Sequence, residues 1–117
     1  MPLFQQIQYK YQLLIDGNSC SYGRAFWQLF SNSVILKQDS DAIQWYYRAL
    51  IPYVHYVPIK HDLEDLQSQL AWVLAHDTDA KKISKQAQMF ATRNLSNKQI
   101  LYYTYLLLCA YATLQKF

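Results

Sequence analysis

The sequence contains few of the residues that interrupt regular structure. Its 117 residues include only two glycines and three prolines, so turns are few and most of the chain is expected to lie in helices and strands. Hydrophobic residues make up 52% and charged residues 16% of the chain, a composition that excludes intrinsic disorder. The sequence therefore predicts one domain over residues 1–117, long enough to bury a core.

Cysteine is scarce as well, and long apolar runs are absent. Cys20 and Cys109 fit neither a disulfide framework nor a zinc site, so we expect free, buried thiols in a reducing compartment and no metal. The longest apolar run, residues 100–114, falls short of the roughly 20 residues of a membrane-spanning helix. Because the first residues do not resemble a signal peptide, we expect a cytoplasmic protein, at most peripheral to a membrane.

Acidic residues are missing from the last third of the chain. Residues 1–79 carry eight acidic and five basic side chains, whereas residues 80–117 carry six basic side chains and no acidic one. Such a basic segment can contact nucleic acid, an anionic membrane or an acidic partner. A solvated helix face explains the widely spaced charges more simply, so nucleic acid is not an expected partner.

Strand-like and helical patterns alternate in residues 1–60. Apolar runs predict three strands, at residues 9–16, 33–37 and 53–59. Helices are predicted between them, at residues 24–30 and 39–50. Pro52 is expected to end the second helix and Pro58 the third strand. This alternation predicts an α/β fold, a three-stranded parallel sheet with flanking helices.

Residues 61–117 have a helical pattern throughout. Apolar stripes with a 3.6-residue period predict three helices, which begin after Asp62, Thr78 and Ser96. The last helix is apolar on nearly every side, so we expect it to be buried on several sides or to lie in an interface. The chain as a whole has the pattern of half of a doubly wound domain, with an open sheet edge.

A polar loop follows the first predicted strand. Its candidate binding residues are Gly17, Asn18, Ser19, Ser21 and Tyr22. Arg24 follows at the start of a helix, and both arginine and helix N-termini favour anions. Ligands of open α/β sheets bind at this carboxyl end of the strands, so the loop predicts a phosphate site, with the Tyr22 ring placed to stack on a ligand. Spacing equally favours a structural role, in which Asn18 and Ser21 cap the helix and Arg24 pairs with Asp16 or Asp39.

Further polar residues end the second predicted strand. Lys37 is suited to neutralise a phosphate, and Asp39 or Ser40 to bind sugar hydroxyls, although helix capping also explains Ser40. His55 is expected to be a core histidine bonded to a backbone carbonyl. No set of nucleophile, acid and base is apparent, so the sequence assigns no catalytic residue.

The order of these motifs resembles glycosyltransferase family 90. The similarity runs from Lys10 and Tyr11 through the Gly17 loop and the Arg24 region, and continues through "SVILKQ", "HYVPI" and "AKKISKQAQMFA". This family includes protein O-glucosyltransferases, fungal capsule xylosyltransferases and bacterial lipopolysaccharide-modifying transferases. The resemblance covers nearly the whole chain.

The resemblance implies the C-terminal half of a Rossmann-like donor-binding domain of a GT-B enzyme. Such an enzyme transfers a sugar from a UDP-sugar to a hydroxyl of a lipopolysaccharide, a capsule glycan or a protein, with no metal or other cofactor. It also implies that the segment from Gly17 to Arg24 receives the donor pyrophosphate, and that the catalytic base and an N-terminal domain lie outside this chain. The alternative is a non-catalytic assembly module derived from such an enzyme, with a second copy as its partner.

Overall fold

The computed structural model describes residues 2–16 and 23–115. In chain order its elements are α1 (Leu3–Gln6), β1 (Tyr11–Leu14), α2 (Arg24–Phe30), β2 (Val34–Gln38), β3 (Val57–Ile59), α3 (Leu66–Ala75), α4 (Asp77–Asn94) and α5 (Asn97–Leu114). A short 3₁₀ turn, Tyr47–Ala49, lies between β2 and β3. The one-turn helix α1 was not predicted from the sequence.

The three strands of the described residues form one parallel sheet in the order β1–β2–β3. Tyr11 pairs with Val34, and Leu36 pairs with Val57. The central strand β2 is buried on both faces, as its unbroken apolar sequence predicted, because helices cover both sides of a parallel sheet. The α/β fold with flanking helices is therefore confirmed.

Each face of the sheet packs against its own hydrophobic cluster. On one face Ile35 packs with Leu29 of α2 and with Ala87 and Ala91 of α4. On the other face the strands pack with residues of α3 and the first turns of α4, among them Val73, Ala80 and Ile83. The predicted apolar stripe of α4 is thus buried, and its small alanines let the helix approach the sheet closely.

The predicted helix over residues 39–50 is wrong. Only the 3₁₀ turn Tyr47–Ala49 forms there, because Asp39 still donates its N–H to Ile59 O, at 2.8 Å, across the sheet. The Ser40 hydroxyl accepts the Ala42 N–H at 3.0 Å and closes a local turn in place of a helix cap. Tertiary packing of the buried Tyr46 and Tyr47 rings overrides the helical pattern of this segment.

The third strand is shorter than predicted. Tyr53 has a φ of 62°, a left-handed conformation that ends an extended run, and its N–H donates to Tyr56 O. Pro58 lies inside β3, paired with Lys37, and does not end the strand. Proline is tolerated in this position because β3 is the outer strand of the described sheet.

The helices of the second half differ from the prediction at the starts of α3 and α4 and along α5. Helix α4 begins at Asp77, so Thr78 lies within the helix and does not cap it. Helix α3 begins at Leu66, since Leu63 has a φ of 63° and cannot belong to a helix. Ser96 caps α5 as predicted, and its hydroxyl accepts the Gln99 N–H.

Helix α5 is exposed along its length. None of its residues is buried, and Leu101 and Leu108 are 71% and 62% exposed. Burial of α5 within the chain was therefore predicted wrongly, and its interface role stays a prediction. Cys109 on this helix is exposed, contrary to the expected buried thiol. No helix among residues 2–16 and 23–115 is long and apolar enough to cross a membrane.

Candidate functional site

A cleft of about 390 Å³ lies at the carboxyl ends of β2 and β3. The strand ends contribute Lys37, Gln38, Asp39, Ile59 and Lys60, and the remaining walls come from Pro52, Tyr53, Tyr56, Pro58, Asp65 and Gln69. Charged groups and aromatic rings thus meet at the sheet edge where α/β proteins bind their ligands. We call this space the edge cleft.

Lys37 places a half-buried cation in the edge cleft. Its Nζ lies 4.6 Å from the centre of the Tyr47 ring and 5.6 Å from that of Tyr56. Burial lowers the pKa of Lys37 below its ordinary value of 10.5, although Asp16 and Asp39 favour the charged form. Among the described residues no carboxylate forms an ion pair with Lys37, so its charge is available to an anionic ligand.

Tyr56 contributes a neutral hydroxyl next to this cation. Burial, together with the negative charge of Asp39, raises the pKa of Tyr56 above its ordinary value of 10.0. The phenol therefore stays protonated at neutral pH. It can donate a hydrogen bond to a ligand oxygen.

The side chains of Gln69 and Asp65 fix the outer wall of the edge cleft. The Gln69 Nε2 donates to the Tyr53 hydroxyl at 2.8 Å and to Pro58 O at 2.6 Å. The Asp65 carboxylate accepts the Lys60 N–H at 2.8 Å. These bonds tie the first residues of α3 to the strand β3 and hold the exposed Tyr53 ring at the mouth of the cleft.

Gln38 links the loops at the carboxyl edge, and sequence reasoning missed it. Its Oε1 accepts the Asp16 N–H at 2.9 Å, and its Nε2 donates to His61 O at 2.6 Å. The one sequence signal was a polar residue at the end of a buried central strand. That signal indicates a position at the edge but not the two bonds.

The predicted binding residues fall into separate groups. Lys37 and Asp39 line the edge cleft, whereas Ser40 makes the local turn bond with Ala42. Arg24 is exposed and lines a different groove, beside β1. In the described part of the chain no ion pair links Arg24 to an acidic residue. The predicted contacts Gly17, Asn18, Ser19, Ser21 and Tyr22 lie outside the described residues.

Arg24 directly follows Gly23, a position whose backbone conformation favours glycine. Gly23 has a φ of 74°, a conformation that other residues adopt only with strain. The turn at Gly23 begins α2, and Arg24 is the first residue of that helix. The structure therefore places the guanidinium at the edge of β1, on the far side of the sheet order from β3.

His55 has a structural role that differs in detail from the prediction. Its Nδ1 accepts the Ile51 N–H at 2.9 Å, so the ring does not donate to a backbone carbonyl through this atom. The ring lies 5.1 Å from that of Phe90, and burial lowers the pKa of His55 below 6.5. A neutral imidazole thus closes the turn before β3. Across the described ranges, no group of three or more histidine, cysteine or acidic side chains could hold a metal ion.

Comparison with known proteins identifies the family. The model of glycosyl transferase family 90 matches residues 1–117. Protein O-glucosyltransferase 3 of Homo sapiens is 39% identical over 98% of this chain and 22% of its own length. Protein O-glucosyltransferase 2 of Danio rerio is 38% identical over 98% of this chain and 23% of its own length. An uncharacterized protein, 179R of Invertebrate iridescent virus 6, is 31% identical over 85% of this chain and 9% of its own length. The chain thus spans less than a quarter of these curated relatives, and it belongs to glycosyl transferase family 90.

Proposed function

We propose that this chain forms part of the donor-binding domain of an O-glycosyltransferase, and that the edge cleft binds the diphosphate of a UDP-sugar. The observation that carries the proposal is the Lys37 cation, half-buried at the carboxyl edge of a parallel sheet and not paired with any described carboxylate. A desolvated cation of this kind binds phosphate more strongly than an exposed one, because water screens it less.

Each wall of the edge cleft has a place in this proposal. Lys37 contacts a phosphate oxygen, and the exposed Asp39 carboxylate accepts hydrogen bonds from ribose or sugar hydroxyls. Tyr53 offers an aromatic face at the mouth of the cleft. Arg24, which lines a separate groove beside β1, and the segment 17–22 remain donor contacts predicted from the sequence and the family resemblance.

The proposed reaction transfers a glycosyl group to a hydroxyl. The bond between the anomeric carbon and the UDP oxygen breaks, a bond from that carbon to the acceptor oxygen forms, and the acceptor proton passes to a base. None of the residues that this chain contributes to the edge cleft is assigned as that base. The proposal needs no metal, since Lys37 supplies positive charge for the diphosphate in the edge cleft.

The names of the relatives bear on sugar and acceptor. Two of the relatives reported above are protein O-glucosyltransferases of vertebrates, which supports glucose as the sugar and a protein hydroxyl as the acceptor. They give no support to a lipopolysaccharide or capsule acceptor. A protein acceptor is therefore the form of the proposal that we favour.

Titration of UDP into the 117-residue chain by calorimetry tests donor binding. Loss of one charge-assisted contact to phosphate is expected to weaken UDP binding by about tenfold or more in Lys37→Gln. The matched control is Lys85→Gln, which removes an exposed lysine of α4 and should leave the affinity unchanged. Absence of UDP binding by the unmodified chain, or equal affinities of the two variants, would contradict the proposal.

Helix α5 supports a second candidate function, assembly with another copy of the chain. It exposes nine large apolar side chains: Leu101, Tyr102, Tyr103, Tyr105, Leu106, Leu107, Leu108, Tyr111 and Leu114. Monomeric proteins rarely expose apolar patches of more than a few hundred Å². Light scattering over a range of concentrations tests this function. A molar mass that corresponds to a monomer at every concentration, both for the unmodified chain and for Leu108→Gln, would exclude dimers formed through α5.

A further inference from the structure

The side-chain amide of Gln38 joins the carboxyl ends of all three described strands. Gln38 is the last residue of the central strand β2. Its Oε1 accepts the N–H of Asp16, which follows β1, and its Nε2 donates to the carbonyl of His61, which follows β3. One residue thus bridges two loops that belong to different neighbours of its own strand.

The bridge lies beyond the point where the regular sheet ladder stops. The last pairs of the ladder are Leu14 with Lys37, and Gln38 with Ile59. Past these pairs, the Gln38 amide bonds the Asp16 N–H on one side and the His61 carbonyl on the other. On the β3 side the His61 Nδ1 lies 3.0 Å from Asp39 O, which adds a second link to the same loop.

The chemistry of the bridge suits a primary amide. The side chain has to accept from one loop and donate to the other, and a primary amide carries both functions. Glutamate accepts but does not donate when it is ionised, and leucine of similar size does neither. Leucine at position 38 therefore removes the bonds to Asp16 and to His61, whereas glutamate removes only the bond to His61.

We propose that Gln38 is a positioning residue for donor binding. By holding Asp16 after β1 and His61 after β3, it keeps the Lys37 and Asp39 side of the edge cleft in a fixed relation to Lys60 on the β3 side. This inference rests on the proposed function, and it adds a residue that acts through the backbone it holds. The free energy of UDP binding then depends on the bonds that Gln38, itself a lining residue of the edge cleft, makes to Asp16 and His61.

The test compares three variants in the 117-residue chain. Gln38→Leu removes both bonds, and Gln38→Glu keeps the acceptor for the Asp16 N–H but loses the donor to His61 O. Ser33→Ala is the control, because the buried Ser33 hydroxyl donates to Tyr9 O at 2.6 Å and accepts from Gln12 at 2.8 Å, at the opposite end of β2. Amide hydrogen exchange of Asp16, the midpoint of thermal unfolding and the Kd for UDP are measured for each.

The expected pattern separates positioning from stability. In Gln38→Leu the Asp16 amide should exchange about tenfold faster, and the Kd for UDP should rise by about fivefold, as expected for loss of a net hydrogen bond. Gln38→Glu should keep the Asp16 amide protected and still weaken UDP binding. Ser33→Ala should lower the unfolding midpoint and leave the Kd unchanged.

Two results would overturn the inference. One is an Asp16 exchange rate that does not change in Gln38→Leu, which would show that the amide does not hold the β1 loop. The other is an equal rise of Kd in Gln38→Leu and Ser33→Ala, which would reduce Gln38 to a general stabilising residue. If the unmodified chain does not bind UDP, the proposed function and the donor-positioning role both fail, whereas the exchange data decide separately whether Gln38 couples the loops.

Discussion

Replacing Lys37 by methionine is expected to remove a pH-dependent contribution to the stability of the fold. Methionine keeps an unbranched stem against the Tyr47 and Tyr56 rings but carries no charge. Two effects oppose each other at neutral pH. The variant loses a cation–π contact, made at 4.6 Å from the Tyr47 ring and worth about 0.5–1 kcal/mol, and it loses the cost of desolvating an ammonium group. The net change at pH 7 is therefore expected to be on the order of 1 kcal/mol or less.

The sign of the pH dependence follows from the direction of the pKa shift. Burial lowers the pKa of Lys37 in the folded chain below 10.5, its ordinary value. At pH values between the folded pKa of Lys37 and 10.5, the unfolded chain binds more protons than the folded chain. The free energy of unfolding therefore rises with pH in this interval. The penalty for burying the charge is complete below the folded pKa and absent above 10.5. The stability of Lys37→Met minus that of the unmodified chain should thus decrease as the pH rises towards 10.5.

Urea unfolding followed by tryptophan fluorescence at pH 7, 9 and 10 measures this difference. Lys85→Met serves as the control, because Lys85 is exposed on α4 and its replacement should give a difference that does not vary with pH. Calorimetry at pH 7 should show UDP binding weakened by about tenfold or more in Lys37→Met. A stability difference that stays constant or grows between pH 7 and pH 10 would refute the assignment of a desolvated cation.

Three further predictions concern the fold. Leu29→Ala should lower the free energy of unfolding by about 2–5 kcal/mol, because Leu29 is buried between α2 and the sheet. Leu108→Ala on the exposed α5 should change it by no more than about 0.5 kcal/mol. Similar losses for the two variants in urea unfolding would contradict the assigned core. Burial lowers the pKa of His55 below 6.5, so the unmodified chain should lose stability as the pH falls through 6.5 towards the folded pKa. His55→Asn should remove that loss of stability. A variant whose stability depends on pH in the same way as that of the unmodified chain would contradict this prediction. Ser96→Ala removes the cap of α5 and should cost about 0.5–1 kcal/mol of stability, measured as a shift of the urea midpoint; no shift would argue against the cap.

The sheet and most helices could be predicted from local sequence patterns. The strand β2 is indicated by a short apolar run that contains β-branched residues, and α4 is indicated by its 3.6-residue stripe. The predicted helix over residues 39–50 did not form. Tyr46, Tyr47 and Leu50 have helical spacing, yet they are buried by an irregular backbone with one 3₁₀ turn. Apolar spacing identifies which residues are buried, and it does not always identify the backbone conformation that buries them.

The edge cleft was predictable only on its β2 side. Lys37 and Asp39 follow from the general location of ligands at the carboxyl ends of parallel strands. The opposite wall depends on Tyr53 and Leu63, whose φ angles of 62° and 63° reverse the chain without a glycine to indicate it. Positive φ values of large residues carry no sequence signal, so the approach of Gln69 and Asp65 to β3 could not be anticipated.

The Lys37 ammonium group in the edge cleft both destabilises the fold and can bind an anion. A half-buried cation that is not paired with a described carboxylate disfavours folding, as the lowered pKa of Lys37 indicates. A carboxylate partner would relieve that cost, but it would also compete with an anionic ligand for the same charge. The aromatic rings of Tyr47 and Tyr56 hold the ammonium group without neutralising it. Together with the Gln38 bridge, they keep a positive charge in a fixed position, and in the proposed function the donor diphosphate is the anion that pairs with this charge.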